Sequence, residues 1–396
     1  MSGSAVRNGP AAATGRSPIS KYRFPWRTGN RFQLLIDGHR FFPRMLQAIA
    51  QARRYVLLEI YLFGSGAVAT RFIDALVSAV ARGVEVRVLL DDFGARKLNA
   101  VDRARLRAGG VHLAFYNLLR LDKWLNNLAR DHRKLLIVDG TVAFVGGAGI
   151  SDVFDPVAAP NTRWRETVVL AEGPVIADWQ ALFVESWARH TDFLLHLLAM
   201  PESPDGRHSA GRVTVMRGRS QQGIKRDLLR HVYSAQRQVW FSTGYFGPPR
   251  RIRRALRRAA RHGVDVRLLL PGALTDHPAV RLAGRRFYAS LLRSGVRIFE
   301  FQPRVLHSKV SLCDSWVSIG SSNLDRWTLR WALDANQAVD DPDFARQVRA
   351  MFEDDFAQTI EYAYADWIRR PLRARFGEQL WGFVERIVNG IGDGRR

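Results

Sequence analysis

The chain carries one short motif twice, and this repeat constrains its fold more than any other feature of the sequence. The motif His-x-Lys-x4-Asp occurs at two sets of residues: His132, Lys134 and Asp139, and His307, Lys309 and Asp314. Apolar segments flank the two copies in the same order, which indicates an internal duplication. We therefore expect two similar halves that face each other and contribute one histidine each to a single site.

Within each half, apolar strand segments alternate with helical stretches. RGVEVRVLLD begins at Arg82 and HGVDVRLLLP at His262, and each has the apolar pattern of a buried strand. Alternating strands and helices predict an α/β fold. We expect two mixed, largely parallel sheets, flanked by helices and related by a pseudo-twofold axis.

The duplication also predicts the domain boundaries. Residues 1–28 are rich in Gly, Ala, Ser and Arg, and we interpret them as a mobile basic tail. Residues 29–205 then form the N-terminal half and residues 206–396 the C-terminal half. The segment Pro201–Arg212 is rich in Pro, Ser and Gly and is the expected linker.

The chain is strongly basic. Lys and Arg total 60 against 37 Asp and Glu, which gives a formal net charge of +23. This charge favours phosphate-bearing partners, either nucleic acid or the anionic face of a membrane. The single cysteine, Cys313, excludes an intramolecular disulfide and fits a reducing compartment. The sequence contains no run of about 18 apolar residues and no signal-peptide core, so we expect the protein to reach its substrate from the soluble side.

The paired histidines suit phosphoryl-transfer chemistry. An unprotonated ring nitrogen can attack phosphorus, while the second histidine protonates the departing oxygen and later deprotonates the incoming alcohol or water. Lys134 and Lys309 lie two residues after the histidines, on the same strand face, where they would neutralise the phosphoryl oxygens. Asp139 and Asp314 complete the motif at strand ends, and we expect them to brace the halves. A site of this kind requires neither a metal ion nor an organic cofactor.

Other polar residues recur at matching places in the two copies. Glu166 and Asp334 are expected to accept a hydrogen bond from a site histidine, with solvated carboxylates at strand ends as the alternative. Glu59 and Tyr245 either line the pocket or pack in the core. The turns after each motif supply four candidate phosphate contacts: Gly147, Ser321, Ser322 and Asn323.

The two motifs and segments such as LAEGPVIADWQALFVESW and STGYFGPP resemble the phospholipase D superfamily over nearly the whole chain after the tail. Within it, the order of segments is similar to that of bacterial cardiolipin synthases, especially the shorter members without N-terminal membrane helices. The resemblance implies a duplicated phospholipase D-like fold and a covalent phosphatidyl-histidine. It also implies transfer of a phosphatidyl group, usually from phosphatidylglycerol, to an alcohol on a second phospholipid. By this resemblance His132 is the nucleophile and His307 the general acid and then base, although the symmetry of the sequence permits the reverse.

Two positions depart from the family pattern. Gly149 stands where the family usually has Asn, whereas the second copy keeps Asn323. The first half would therefore offer one phosphate donor fewer. Asp334 stands where Glu is usual and is one methylene shorter. These departures bear on the choice of substrates more than on the chemistry.

Anionic phospholipids are the expected partners, and the expected localisation is peripheral, on the cytoplasmic face of the inner membrane. Three segments predict amphipathic or strongly apolar helices that would serve as contacts: Pro249–His262, Phe183–Met200 and Leu380–Ile391. Solvated or core helices are the alternative interpretation of each. The sequence leaves the oligomeric state open.

A hydrolase or a nuclease that uses the same histidine pair is the competing function, so nucleic acid stays open as a partner. A non-catalytic binder of anionic surfaces is a third class, and the two intact motifs argue against it. An apolar cavity between the histidines would favour a lipid enzyme. An open basic groove would favour a nuclease.

Overall fold

The computed structural model describes residues 24–158, 163–191, 209–218, 220–325 and 331–390, except for the side chains at 121, 124–126, 373–374 and 385–390. The strands of the first half are β1 (Arg27–Ile36), β2 (Tyr55–Ile60), β3 (Glu85–Asp91), β4 (His112–Tyr116), β5 (Arg130–Asp131), β6 (Lys134–Val138), β7 (Val142–Gly146) and β8 (Thr167–Glu172). Its helices are α1 (Gly38–Gln51), α2 (Ala67–Ala81), α3 (Ala100–Ala108) and α4 (Ile176–Ala188), with 3-10 turns at Leu121–Leu128 and Asp152–Phe154.

The second half repeats this succession with a few additions. Its strands are β9 (Ser209–Arg217), β10 (Gln221–Gln222), β11 (Gln238–Ser242), β12 (Phe246–Gly247), β13 (Asp265–Pro271), β14 (Arg297–Phe301), β15 (Val310–Cys313), β16 (Trp316–Gly320), β17 (Leu324–Asp325), β18 (Ala332–Asp340) and β19 (Thr359–Glu361). Its helices are α5 (Gly223–Ser234), α6 (Arg250–Arg261), α7 (Pro278–Arg285), α8 (Tyr288–Leu292), α9 (Pro342–Phe356), α10 (Tyr364–Ile368) and α11 (Leu372–Gly390).

The two halves have the same sheet topology. In the first half the strand order is β1-β8-β7-β6-β2-β3-β4. In the second half it is β9-β18-β16-β15-β11-β13-β14, with β19 added at the edge. Each strand of one sheet therefore has its counterpart at the same place in the other. The predicted duplicated α/β fold is confirmed.

The direction of the strands differs from the prediction. Among the described strands in these two orders, the parallel pairs are β2–β3 and β3–β4 in the first sheet and β11–β13 and β13–β14 in the second. The remaining neighbours run antiparallel, so the sheets are mixed but the expectation that they are largely parallel is wrong. The reason is the short connection between strands such as β6 and β7, which are separated by three residues. A connection of that length can form a hairpin but cannot cross over to a parallel strand.

Local sequence explains why the repeated unit turns where it does. The helices α2 and α6 each end just before a glycine, Gly83 with φ 86° and Gly263 with φ 85°. Glycine adopts this left-handed conformation without steric cost, and it commonly ends a helix in this way. The next strand, β3 or β13, therefore begins two residues later and runs back into the sheet.

A shared core joins the halves into one body. Both sheets turn one face towards a central layer that contains α4 and α9, where Trp179, Phe183 and Phe352 are fully buried. Trp179 Nε1 donates a hydrogen bond of 2.8 Å to Gln337 Oε1 across the interface. Strand β1 also pairs with β9, which links the two sheets at their edges. The outer faces are covered by α1, α2 and α3 in the first half and by α5, α6 and α8 in the second.

The folded body begins earlier than the sequence suggested. Phe24 is buried in the central core, and β1 begins at Arg27. Residues 24–28, assigned above to the mobile tail, therefore belong to the first half. The rest of the proposed tail and the expected boundary at residues 205 and 206 lie outside the described residues. Within the described residues, no helix is both long enough and apolar enough to span a bilayer.

The motif aspartates stabilise turns inside their own halves. Asp139 and Asp314 adopt φ values of 53° and 52°. The Asp139 carboxylate accepts hydrogen bonds of 2.8 to 2.9 Å from the backbone amides of residues 53–55, at the start of β2. The Asp314 carboxylate accepts bonds of 2.9 to 3.0 Å from those of residues 236–238, at the start of β11. The expectation that they brace one half against the other is wrong, because each is bound within one half.

Candidate active site

Two reciprocal backbone contacts bring the motifs together. The start of β18 pairs in parallel with β5, and the backbone amide of His132 donates a hydrogen bond of 2.9 Å to the carbonyl oxygen of Leu333. In the other direction, Arg165 forms a parallel bridge with Leu306, and the amide of His307 donates a bond of 2.9 Å to the carbonyl of Arg165. Each histidine is therefore held by the backbone of the opposite half.

The residue after each of these contacts carries a carboxylate, which reaches the histidine of the other half. His132 Nδ1 lies 3.0 Å from Asp334 Oδ1. His307 Nδ1 lies 2.5 Å from Glu166 Oε2. Both carboxylates are completely buried. The site is therefore assembled from two pairs that each cross the interface between the halves.

The two histidines share a cavity of about 410 Å³. Its lining combines cationic, polar and aromatic groups: Tyr61, Leu62, Arg130, His132, Lys134, Gly147, Gly149, Phe154, Trp164, Tyr245, Asp276, His277, Val280, His307, Asn323, Asp325 and Ala332. The volume is that of a typical small-molecule pocket and the lining is largely apolar or aromatic, unlike an open basic groove.

His132 has the environment of a nucleophile. Burial, and then the charge of Lys134, lower the pKa of His132 below its ordinary value of 6.5, although Asp334 acts in the opposite direction. Burial raises the pKa of Asp334, but hydrogen bonds from His132 and Ser321 outweigh it and leave the pKa below its ordinary value. Asp334 is therefore ionised and accepts the Nδ1 proton of a neutral ring. The lone pair of His132 Nε2 is left free to attack.

The groups around His307 differ from those around His132. Lys309 Nζ lies 2.8 Å from His307 Nδ1, and burial lowers the pKa of Lys309 below its ordinary value. Burial raises the pKa of Glu166 to about 7, even though Lys309 lowers it. With this pKa the Glu166 carboxyl group can carry a proton near neutral pH and share it with His307 Nδ1, 2.5 Å from its Oε2. Burial, and then Lys309, lower the pKa of His307 well below its ordinary value.

Aromatic side chains hold both rings in place. The Tyr61 ring meets His132 edge-on, with 4.9 Å between the ring centroids. Trp164 and Phe154 pack against His307, with centroid separations of 5.0 and 5.8 Å. These contacts limit rotation of the imidazoles and exclude water from their faces, which strengthens the electrostatic effects described above.

The two motif lysines take different positions. Lys134 lines the cavity, and its Nζ donates a hydrogen bond of 2.6 Å to the carbonyl of His132. Burial, and then the charge of Lys309, lower the pKa of Lys134 to about 7. The Lys309 ammonium lies behind His307, 3.6 Å from Glu166 Oε2, and is not part of the cavity wall formed by the described residues. Of the two motif lysines, Lys134 is the one that lines the cavity among the described residues.

The polar side chains of the turn after the second motif take different positions. Asn323 lines the cavity, and its Nδ2 is buried without a hydrogen-bond partner in the described residues, so it can donate to a bound phosphate. Ser321 Oγ instead donates to Asp334 Oδ1 at 2.7 Å. Ser322 lines a separate small cavity together with Lys309. Of the three, the structure therefore brings only Asn323 to the shared cavity.

Two glycines in the first half admit no side chain. Gly147 lines the cavity, and a Cβ there would collide with the Glu166 carboxylate. At Gly149 a Cβ would lie 2.6 Å from the carbonyl oxygen of Leu62, a contact too short for real atoms. With Leu62 this close, the backbone at Gly149 has no room for the asparagine that the resembling family usually carries there.

Glu59 and Tyr245 occupy different environments in the structure. Glu59 is completely buried beside Arg133, with Oε1 3.1 Å from Nη1, and it does not line the cavity, so its assignment to substrate binding is wrong. Tyr245 does line the cavity, and its hydroxyl donates a hydrogen bond of 2.5 Å to Asp276 Oδ2. The packing interpretation holds for the first residue and the pocket interpretation for the second.

Sequence reasoning missed several residues of the cavity wall: Arg130, Phe154, Trp164, Asp276, His277 and Val280. Trp164 lies two residues before Glu166, so the segment that brings Glu166 to the site also brings Trp164 there. Asp276 and His277 lie beyond the carboxyl end of the parallel strand β13, where α/β proteins place functional loops. Their position after a parallel strand could have identified these two residues from the sequence. The other missed residues depend on how separate loops fold over the site.

The site can now be set beside known proteins. A family model described as Cardiolipin synthase, PLD-like domain, matches residues 45–181 and 228–356. Cardiolipin synthase A of Pseudomonas aeruginosa is 33% identical over 372 residues, which cover 93% of this chain and 75% of the relative. Cardiolipin synthase B of Salmonella typhimurium is 34% identical over 343 residues, which cover 82% of this chain and 80% of the relative.

Among solved structures, phosphatidylserine synthase of Haemophilus influenzae Rd superposes with a TM-score of 0.70. The match covers 94% of this chain and 97% of that chain at 13% identity. At this identity the likeness shows a common fold.

Proposed function

The chain belongs to the phospholipase D-like family of cardiolipin synthases and is a phosphatidyltransferase, and from this premise we propose that it joins two molecules of phosphatidylglycerol into cardiolipin. Glycerol is the second product. The reaction passes through a covalent phosphatidyl-histidine. The observation that carries the mechanism is the pair of buried contacts across the interface, His132 with Asp334, whose pKa is lowered, and His307 with Glu166, whose pKa is raised. In this proposal Asp334 is ionised and Glu166 carries a proton.

In the first step His132 is the nucleophile. Its Nε2 lone pair attacks phosphorus, and the bond from phosphorus to the glycerol oxygen breaks. That oxygen takes the proton from His307 Nε2, while the proton of Glu166 moves to His307 Nδ1. Lys134 and the Nδ2 amide of Asn323 stabilise the negative charge on the phosphoryl oxygens. Ionised Asp334 balances the positive charge that develops on the ring of His132.

In the second step the protons return along the same path. The hydroxyl of a second phosphatidylglycerol gives its proton to His307 Nε2, and His307 Nδ1 returns a proton to Glu166. The oxygen attacks phosphorus and displaces His132 Nε2, which regains its lone pair. Lys309 lies beside Glu166 and balances its charge between the two steps. The site gives up one proton to glycerol in the first step and regains one from the second lipid in the second step, so a complete cycle leaves its proton count unchanged.

The character of the cavity supports a lipid rather than a nucleic acid as substrate. Phe154 and Trp164 lie against His307, and Leu62 and Val280 add further apolar surface to the wall. A cavity of about 410 Å³ suits a head group with its phosphodiester. The acyl chains then extend outwards, so the protein must work at the surface of a membrane. The cytoplasmic face of the inner membrane is the surface that we propose.

The test is to incubate the purified protein with phosphatidylglycerol vesicles and to identify the products by mass spectrometry. We expect cardiolipin and glycerol, and neither product with His132→Ala or His307→Ala. Phosphatidic acid as the sole lipid product would show that water replaces the lipid alcohol, and the chain would then be a hydrolase. Cleavage of DNA without any lipid product would contradict the lipid assignment altogether.

A further inference from the structure

The C-terminal helix α11 presents an apolar face to solvent. Leu372, Phe376, Leu380 and Val384 recur every four residues and all are exposed, Leu372 by 77% and Phe376 by 71%. Side chains four residues apart lie on one side of a helix, so they form a continuous stripe. Single exposed apolar residues are common on proteins, whereas a contiguous stripe marks a site of interaction.

The opposite face of α11 fixes the helix to the body of the protein. Glu378 is buried and accepts hydrogen bonds of 2.6 and 3.1 Å from the guanidinium of Arg370. Arg285 lies 3.4 Å from the same carboxylate. At Gly382 the backbone is also buried, and a Cβ there would collide with Arg286. Rotation of α11 about its axis to bury the apolar face would leave the Glu378 carboxylate buried without its arginine partners. The apolar stripe therefore faces solvent.

The position of α11 connects this stripe to the active-site cavity. α11 packs against α7. α7 contributes Val280 to the cavity wall, and Asp276 and His277 come immediately before that helix. The helix that carries the exposed stripe therefore packs against an element of the cavity wall.

A strongly basic surface lies on the same half. The predicted helix at Pro249–His262 is confirmed as α6, which contains no acidic residue and exposes five arginines: Arg250, Arg251, Arg254, Arg258 and Arg261. It begins five residues after Tyr245, which lines the cavity. The ring of Phe287 links α6 to α11, because the guanidiniums of Arg253 and Arg286 lie 4.1 and 4.4 Å from its centroid and Arg286 approaches Gly382.

From these contacts we propose that the apolar face of α11 and the exposed arginines of α6 form one surface that docks on an anionic lipid bilayer. The apolar stripe enters the acyl boundary and the arginines bind the phosphates of the head groups. Charge complementarity selects this occupant, since a second copy of a chain with net charge +23 would bring like charges together. This inference rests on the proposed function to the extent that the substrate is a bilayer lipid.

The first test measures binding without catalysis. All proteins carry His132→Ala, so the lipid is not consumed, and are floated with vesicles of phosphatidylcholine alone or mixed with phosphatidylglycerol. We expect strong binding only to the mixed vesicles, and Leu372→Ser with Phe376→Ser to weaken it by about tenfold or more. Val101→Ser is the matched control, because Val101 is equally exposed but lies on α3 in the first half. Arg254→Gln with Arg258→Gln should remove the preference for anionic vesicles.

The second test separates docking from chemistry. Without His132→Ala, the Leu372→Ser and Phe376→Ser variant should turn over a soluble short-chain phosphatidylglycerol like the wild type and lose activity only on vesicles. Flotation equal to that of the wild type would overturn the docking proposal. A wild-type dimer that becomes a monomer in this variant would also overturn it, because the stripe would then be a contact between copies. If the wild type turned over neither lipid, the proposed function would fail, and flotation would still decide on docking.

Discussion

At the scale of single residues, Glu166 and Asp334 have different functions in the proposed reaction. Glu166 supplies a proton to His307, whereas Asp334 balances the positive charge on His132. Glu166 Oε1 accepts a hydrogen bond of 2.8 Å from the amide of Thr167, and Oε2 faces His307. In Glu166→Gln the amide oxygen can keep the first contact while the NH₂ group donates to the ring. The ring is then held as before, but no proton can move through it.

We therefore expect Glu166→Gln to lower kcat with phosphatidylglycerol by about 100-fold to 10,000-fold, the usual contribution of general acid catalysis. A donor with a p-nitrophenol leaving group needs no proton to depart, so formation of the covalent intermediate from it should proceed near the wild-type rate. The release of p-nitrophenol in a rapid burst is the measurement. Equal losses with both donors would show that Glu166 has no part in proton transfer.

Asp334→Asn should behave differently, because Asp334 acts on the nucleophile. We expect about 100-fold or greater loss with both donors, since the charge that balances the ring of His132 is gone. The same burst experiment measures it. Activity restored by the p-nitrophenol donor would place Asp334 on the proton path and contradict the assignment of His132.

The pH dependence follows from the same groups. Below pH 7, Glu166 keeps its proton and Lys134 its charge, because both pKa values are about 7. The lowered pKa of His132 keeps its lone pair available below pH 6.5. We therefore expect kcat/KM to be highest near or just below pH 7 and to fall steeply above it. In Glu166→Gln the fall should be shallower, because the titration of Glu166 is removed while that of Lys134 remains, and an unchanged slope would contradict this origin.

The sequence predicted the reacting groups but not how they pair. The histidines, Lys134 and the two carboxylates were all identified from the repeat. Internal symmetry allows a carboxylate to bind the histidine of its own half or of the other, and sequence cannot choose between them. The choice depends on two short backbone contacts, at Arg165 with Leu306 and at Leu333 with Asp131, which exist only after the halves have packed.

At the scale of secondary structure, the motif aspartates stabilise the fold. Asp139→Ala removes the acceptor for three backbone amides and places alanine at a positive φ. We expect a loss of about 1 to 3 kcal/mol in the free energy of unfolding, measured in urea, with an unchanged kcat of the folded protein. Asp139→Asn should cost less, since asparagine keeps an acceptor oxygen and tolerates this conformation. A fall in kcat at full folding would instead mean that Asp139 reaches the reaction.

At this scale, strand direction is the property that the apolar pattern of the sequence cannot predict. The order strand, helix, strand holds for β2, β3 and β4 and their counterparts, and these are the parallel strands. From β6 to β8 no α-helix intervenes among the described residues, and the strands form antiparallel pairs. The apolar pattern of a strand is the same in both cases. Direction has to be read from the length of each connection.

At the scale of the whole molecule, one chain contains a complete site. Both histidine and carboxylate pairs join the first half of a chain to its own second half. We expect a mixture of His132→Ala and His307→Ala proteins to show no recovery of activity. As a control, wild-type protein mixed with either variant should keep activity in proportion to its share. Recovery in the mixture of variants would mean that halves are exchanged between chains.

The contacts of β18 with β5 have a consequence for synthesis. A chain grows from its N-terminus, so His132 leaves the ribosome about 200 residues before Asp334, the partner that fixes its ring. Glu166 must likewise wait for His307. The long sequence separation also makes this pairing a late event in folding. A nascent chain therefore has no complete active site until β18 has emerged from the ribosome, so both histidine–carboxylate pairs form only after the two halves have packed together.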